Sequence, residues 1–366
     1  MKVCHLTSVH SWNDIRIFKK MCVSLAKAGI ETHLVAINAK EGRVDGVQVH
    51  CVKSRSKGRL YRMLINTRKV LSKAISLHSD IYHIHDPELI PFAHRLLRRG
   101  KIVIYDSHED VPSDILDKAW LGPFFIRKFI SFLFNFYEKR KVNKLDGVIS
   151  VSEPITEKFL NLKKITIHNY PDLNKFLGKK EEKSYAKLKL VYSGGLNRIR
   201  GVKEMIESLS HVPENITLYL AGNWESEQFH IECKNCSGWS KVQYLGFLNQ
   251  KDNYLLMNNS HIGIINYLPV SNHLNCLPNK IYEYFASGLV VLMSDIKFWE
   301  KEFKDKAFYH DPKDSLSLAS QIKFVHQNKD KITKWGKVGE DYVRSQKSWE
   351  SESIKLIQFY KSFLPS

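Results

Sequence analysis

Strand-like apolar runs alternate with helix-patterned segments along nearly the whole of this chain. They fall into two series separated by a polar, lysine-rich stretch. In the first half the strand-like runs are residues 3–7, 32–37, 47–52, 81–85, 102–106, 147–151 and 165–167. Short runs of this kind, apolar and β-branched, suit strands buried on both faces, and helices between them imply parallel sheets. Residues 18–28 read as an amphipathic helix ended by Gly29. Residues 172–187 include Gly178-Lys179-Lys180-Glu181-Glu182-Lys183 and read as a solvated linker. A second series follows at 189–193, 217–221, 242–245, 262–266 and 290–294, with Gly222 and Gly246 each ending a strand. The pattern predicts an α/β chain of two doubly wound domains, 1–171 and 188–345. Ligands of such sheets sit at the carboxyl ends of the strands.

One segment carries more chemistry than the rest. Pro278-Asn279-Lys280-Ile281-Tyr282-Glu283-Tyr284-Phe285-Ala286-Ser287-Gly288 leads into Val290-Val291-Leu292-Met293-Ser294-Asp295. Proline suits a helix start, Ile281, Tyr284 and Phe285 recur at helical spacing, and Gly288 is a stop. The helix therefore presents free amides at Asn279 and Lys280, a site suited to phosphate. Glu283, about one turn further in, is placed to accept hydrogen bonds from sugar hydroxyls. Diphosphate at the amides and ribose at the carboxylate describe a nucleotide-sugar.

This segment resembles the donor-binding part of the retaining glycosyltransferases of family 4, which have the GT-B fold. Four other stretches resemble the same family, in the family's order. Asp80-Ile81-Tyr82-His83-Ile84-His85-Asp86-Pro87-Glu88 resembles a strand ending in a His-Asp pair. Tyr105-Asp106-Ser107-His108-Glu109 resembles the next strand, with a histidine at the cleft. Asn169-Tyr170-Pro171 resembles the turn that closes the first domain. Tyr192-Ser193-Gly194-Gly195 through Arg200-Gly201 resembles the loop opening the second.

The resemblance implies two Rossmann-like domains facing a central cleft, with a last helix (346–366) crossing back to the first. Arg200 matches the basic residue that neutralises the donor diphosphate. The family's second basic residue falls on Gly195, so neutralisation would rest on Arg200, Lys280 and the helix amides. Gly194 and Gly195 would let the backbone approach the donor. Of the family's two glutamates, Glu283 matches the second, at the ribose; the first falls on Asn275, near the transferred sugar. His108 would contact the donor sugar or phosphate, with His85 and Asp86 as weaker partners. Glu109 would orient an acceptor hydroxyl. In the loop after the first strand, His10 lies on the acceptor side, Asp14 is a candidate N-cap, and Arg16 at a helix start suggests anion binding. His108, Arg200, Lys280 and Asn275 are thus the catalytic candidates. Departure of the diphosphate would dominate the chemistry, with retention by front-face attack. No DxD motif is placed to hold a divalent ion, so neither metal nor other cofactor is expected.

The formal charge of +18 is lopsided: residues 1–170 hold 29 Lys+Arg against 16 Asp+Glu, and the remainder 27 against 22. A basic first half implies an anionic partner: nucleic acid, a membrane surface or a phosphorylated substrate. No RNP, zinc-finger or basic-zipper pattern supports specific nucleic-acid binding. Residues 120–136 are rich in aromatics, with Arg127 and Lys128 inside and Lys139-Arg140-Lys141 after. They suit a helix lying in a membrane interface or a core helix with a basic wet side; a second basic stretch covers residues 53–73. Six scattered cysteines and a polar segment soon after the first strand point to a reduced, cytoplasmic protein without a signal peptide. The resemblance points to a UDP-sugar donor and a lipid-linked saccharide acceptor on the inner membrane face, in O-antigen or capsule assembly. A UDP-sugar 2-epimerase on the same fold and a basic nucleic-acid binder are the alternatives.

Overall fold

The computed structural model describes residues 1–54, 58, 61–161, 163–176, 184–274 and 276–363. The chain forms two compact units. One comprises Met1–Asn169 with Trp349–Ser366, the other Tyr170–Ser348.

The first unit is built on an eight-stranded sheet: β1 Lys2–Thr7, β2 Glu31–Ile37, β3 Gly42–Val44, β4 Val47–Val52, β5 Ile81–Ile84, β6 Ile102–Ser107, β7 Gly147–Ser150 and β8 Lys164–Thr166. Their order is β3-β4-β2-β1-β5-β6-β7-β8, parallel except where β3 pairs back on β4. Successive side chains of a strand point to opposite faces. Cys4 and Leu6 of β1 accordingly enter one core with Val35, Tyr82 and Val103, while Val3 enters another with Ile81, Ile104 and Ile149. The second face is closed by the last helix, Trp349–Lys361, through Trp349, Leu356, Phe359 and Tyr360. Ile354 of that helix lies 58% exposed, because the buried stripe runs through Leu356 and Phe359.

The second unit has a six-stranded parallel sheet: β9 Leu188–Ser193, β10 Ile216–Ala221, β11 Val242–Tyr244, β12 Ile262–Ile265, β13 Val290–Ser294 and β14 Phe308–His310, in the order β11-β10-β9-β12-β13-β14. One continuous core of Val, Ile, Leu and aromatic side chains fills it.

Both sheets reverse their direction of growth once. In the first, the chain runs outward from β1 through β2 and β4, then returns to start β5 on β1's other side. In the second, it runs from β9 through β10 to β11 and then starts β12 beside β9. A crevice opens at the carboxyl ends of such strand pairs, because their connections leave on opposite sides. The segments after β1 and β5, and those after β9 and β12, are the positions this topology marks for ligands.

Candidate active site

In the second unit, the segment after β9 carries Gly194, Gly195 and Arg200, and the segment after β12 leads to Pro278, Asn279, Lys280 and Glu283. All the donor residues expected in the second half except Asn275 are therefore brought to one sheet reversal. Asn275 lies outside the described residues.

Arg200 folds back over its own loop. A Cβ added to Gly194 would stand 2.9 Å from Arg200 Nη1, and one on Gly195 3.3 Å. The two glycines thus seat the guanidinium closely. Arg200 also lies over the Tyr267 ring, 5.4 Å from its centroid. Its neighbour Arg198 is neutralised by Glu225 and Glu232, at 3.3 and 2.7 Å. No carboxylate among the described residues lies within 4.0 Å of the Arg200 guanidinium. The loop is fixed by Gly201, whose φ of +58° suits glycine and whose added Cβ would stand 2.1 Å from Asn266 O. Asn266 Nδ2 donates to Gly201 O at 2.9 Å and Pro312 O at 3.2 Å, and Oδ1 accepts from His310 Nε2 at 2.6 Å. Burial pushes His310 down to about 4, so the imidazole is neutral. Asn266, Tyr267 and His310 carried no motif; their role appears only once β12 lies beside β9 and the chain's β14 joins the sheet.

The second element is the helix Asn279–Ala286. Pro278 is its N-cap residue and no side chain caps it. Ile281 N–H bonds Pro278 O, so the opening amides are those of Asn279 and Lys280. Asn279 is exposed and Lys280 and Glu283 are partly so. The helix is anchored at its other end: Tyr284 and Phe285 are fully buried, and Ser193 N–H donates to Tyr284 Oη at 3.3 Å. Lys280 Nζ and Glu283 Oε2 form an ion pair at 2.8 Å. The cation and the carboxylate expected to serve phosphate and ribose thus hold each other.

In the first unit the loops after β1, β5 and β6 bring His10, Asp14, Arg16, His85, Asp86, His108 and Glu109 to one end of the sheet. They do not all face outward. Arg16, read as an anion ligand, is buried: Nε and Nη2 fork Asp106 at 3.0 and 2.8 Å, and Nη1 donates to Ile167 O at 2.9 Å. Its charge is spent inside the fold, which also resolves its odd place at a helix start. Asp86, read as a weaker partner of His108, is fully buried and accepts from Ser8 Oγ at 3.1 Å, from Thr7 Oγ1 at 3.2 Å and from the Ser8 amide, closing the loop after β1. His85 is fully buried too. Asp14 is the expected N-cap, accepting from the amides of Arg16 and Ile17.

Asp106 is the hub that sequence reading missed. Burial alone would raise its carboxyl, but Arg16, then His108 and His85, hold it well below the ordinary range. An ionised Asp106 accepts from His85 Nδ1 at 3.1 Å. Burial pushes His85 down to about 3, so its Nε2 is free to accept from His5 Nδ1 at 2.8 Å. Tyr360 Oη lies 2.6 Å from His83 Nδ1 and 3.4 Å from His5 Nε2, extending the chain to the last helix. At the outer end, His108 Nδ1 lies 3.6 Å from Asp106 Oδ2 and its Nε2 3.0 Å from His10 Nε2. Burial alone would lower His108, but Asp106 outweighs it and holds the imidazolium above its usual range. His85, Asp106 and His108, and likewise His5, His83 and His85, are close enough to share an ion. His83 Nε2 and His108 Nδ1 have no hydrogen-bond partner among the described residues, while the other ring nitrogens of these histidines take part in the network, and Arg16 would repel a cation beside Asp106. Glu109 is exposed.

Residues 174–342 match the family model described as glycosyl transferases group 1, and residues 16–170 match glycosyltransferase family 4. No curated protein matches the sequence significantly. Among solved structures, HepE from Anabaena, crystallised with UDP and glucose, is similar over 99% of this chain and 100% of its own, with a TM-score of 0.73 at 14% identity. Sucrose-phosphate synthase from Thermosynechococcus elongatus covers 99% and 98% with a TM-score of 0.74 at 13% identity. A glycosyltransferase from Rickettsia africae covers 99% and 98% with a TM-score of 0.70 at 16% identity. Matches to glycosyltransferase models in both units, on two parallel α/β sheets of this shared architecture, identify the chain as a glycosyltransferase of the GT-B fold.

Proposed function

We propose that this enzyme takes a nucleotide-sugar, UDP-linked, in its second unit and transfers the sugar with retention to a hydroxyl of a lipid-linked saccharide, as in bacterial O-antigen or capsule assembly. The observation that carries the donor half is the pairing, at one sheet reversal, of an uncapped helix start with an arginine that no described carboxylate neutralises. The diphosphate sits on the amides of Asn279 and Lys280. Lys280 turns from Glu283 to phosphate, which frees the carboxylate to accept from the ribose hydroxyls. As the anomeric bond breaks, negative charge grows on the departing phosphate. The amides and Arg200, joined by Lys280 once the donor has drawn it from Glu283, stabilise that charge as it develops. His108, whose protonated form Asp106 favours, serves the sugar or phosphate by hydrogen bonding. The reading is metal-independent, since the cations are supplied by side chains, and a chelator should leave turnover unchanged. Solved structures of HepE with UDP-glucose support the donor class. The charge concentrated in residues 1–170 supports an acceptor at the cytoplasmic membrane face.

A screen of nucleotide-sugars for thermal stabilisation tests the donor assignment, because a bound ligand raises the melting temperature by mass action. One UDP-sugar should stabilise the parent, and Arg200→Ala and Glu283→Ala should lose the response. Two variants that respond as the parent does would place the donor elsewhere.

A further inference from the structure

The helix Phe124–Val142 has 19 residues and is held to the first unit along one side only. Arg127 Nη1 donates to Leu116 O, Ser131 Oγ to Pro112 O at 2.7 Å, and Glu138 Oε1 accepts from Tyr105 Oη at 3.0 Å. These positions follow one another at helical spacing and define the inner face. The opposite face carries Phe125, Phe129, Phe132 and Phe136, spaced by four, three and four residues. They are 71, 62, 65 and 61% exposed, and Trp120 just before the helix is 64% exposed. The reading of this segment as a core helix is thereby excluded. Four exposed phenylalanines in one stripe about 17 Å long form a patch of the kind that marks an interaction surface.

Charge says what the partner is. Between Lys118 and Lys144 seven lysines and arginines stand against a single acid, Glu138. That acid is buried, and burial pushes it up to about 7 despite Tyr105 and Lys158. The outer face is therefore apolar and cationic with no negative charge. At 3.6 residues per turn, Lys128, Lys139 and Arg140 fall within about 60° of the phenylalanine stripe, flanking it on both sides. A second copy of the same face would bring like charges together. No helix among the described residues is long and apolar enough to cross a membrane.

We propose that this face docks on an anionic lipid bilayer, with Phe125, Phe129, Phe132 and Phe136 at the headgroup–acyl boundary and Lys128, Lys139 and Arg140 on the lipid phosphates. The helix lies in the plane of the surface, which presents the first unit to substrates embedded there. The proposal rests on the reading of a membrane-borne acceptor, and its test measures no sugar transfer.

The full-length protein is sedimented with vesicles of phosphatidylcholine alone or with about one-third phosphatidylglycerol. The parent should bind the mixed vesicles strongly and phosphatidylcholine weakly, and should release at high salt. Phe129→Ser/Phe132→Ser should lower the partition coefficient by at least tenfold, roughly what two partly buried aromatics contribute. Lys128→Glu/Arg140→Glu should abolish the preference for anionic lipid. All three proteins should melt alike and keep the same UDP response, which separates a failure of the docking face from a failure of the donor site. Vesicle binding that is absent, or equal in parent and variants, overturns the proposal. So does a parent dimer that Phe129→Ser/Phe132→Ser converts to monomer without any effect on vesicles; the face is then an interface between copies.

Discussion

Replacing Arg16 by methionine separates a structural arginine from an anion ligand. The guanidinium is buried and reaches both carboxylate oxygens of Asp106, the nearer at 2.8 Å. At an effective dielectric near 20, unit charges at that distance attract by about 6 kcal/mol. Desolvation of each ion, several kcal/mol, offsets most of this, so the pair adds little net stability. Removing one partner is another matter. It leaves the buried Asp106 carboxylate without its nearest cation, and His108 at 3.6 Å compensates only in part, so the cost is about 3–5 kcal/mol. For a unit of this size that lowers the melting temperature by roughly 6–20 °C. Arg16→Met/Asp106→Asn removes both charges and should recover most of the loss. The pH dependence follows from the direction of the Asp106 shift. Its folded value is depressed, so the stability is present above the ordinary 3.8 and is lost as pH falls toward the folded value. Melting curves taken from neutral pH into acid should show that loss in the parent and not in the double variant. An Arg16→Met protein that melts within about 2 °C of the parent, and differs only in anion or acceptor affinity, would refute the reasoning.

Two further substitutions probe the site and its frame. Gly201→Ala should cost about 2–4 kcal/mol, from a left-handed backbone plus the clash with Asn266 O, and should weaken UDP binding by displacing the Arg200 loop; urea melts and UDP titration equal to the parent would contradict this. Glu138 is raised to about 7 by burial, so its stability contribution is present below 4.5 and lost as pH rises through 7. Glu138→Gln should therefore gain as much as about 3 kcal/mol on the parent between pH 5 and pH 8, and thermal melts with no such gap would mean the carboxyl is not held neutral.

The strands of both sheets were legible because their runs are apolar on both faces, and β13 falls where the pattern places it. Misses were short or irregular. β3 and β14, of three residues each, were not among the strand-like runs, although β8 and β11 of the same length were. The first helix begins at Ile15 rather than residue 18, because its opening turns, Ile15–Cys22, are a π-helix whose spacing departs from 3.6. The helix start at Pro278 was readable since Pro278, Lys280 and Glu283 lie within one local loop-helix-strand. The acceptor side was not. Arg16 meets Asp106 ninety positions away, through a parallel register in which β5 lies between β1 and β6, and no local pattern encodes that neutralisation. Asp86 and His85 were misread for the same reason: a polar residue at a strand end reads as functional until its buried partners are known.

Calorimetric titration of UDP into the parent, Arg200→Gln and Lys280→Met tests the donor site most directly. The account predicts saturable binding by the parent, and at least tenfold weaker binding by each variant, as loss of one charge-assisted phosphate contact requires. Parent and variants with the same Kd, or a parent that binds no UDP, would contradict it.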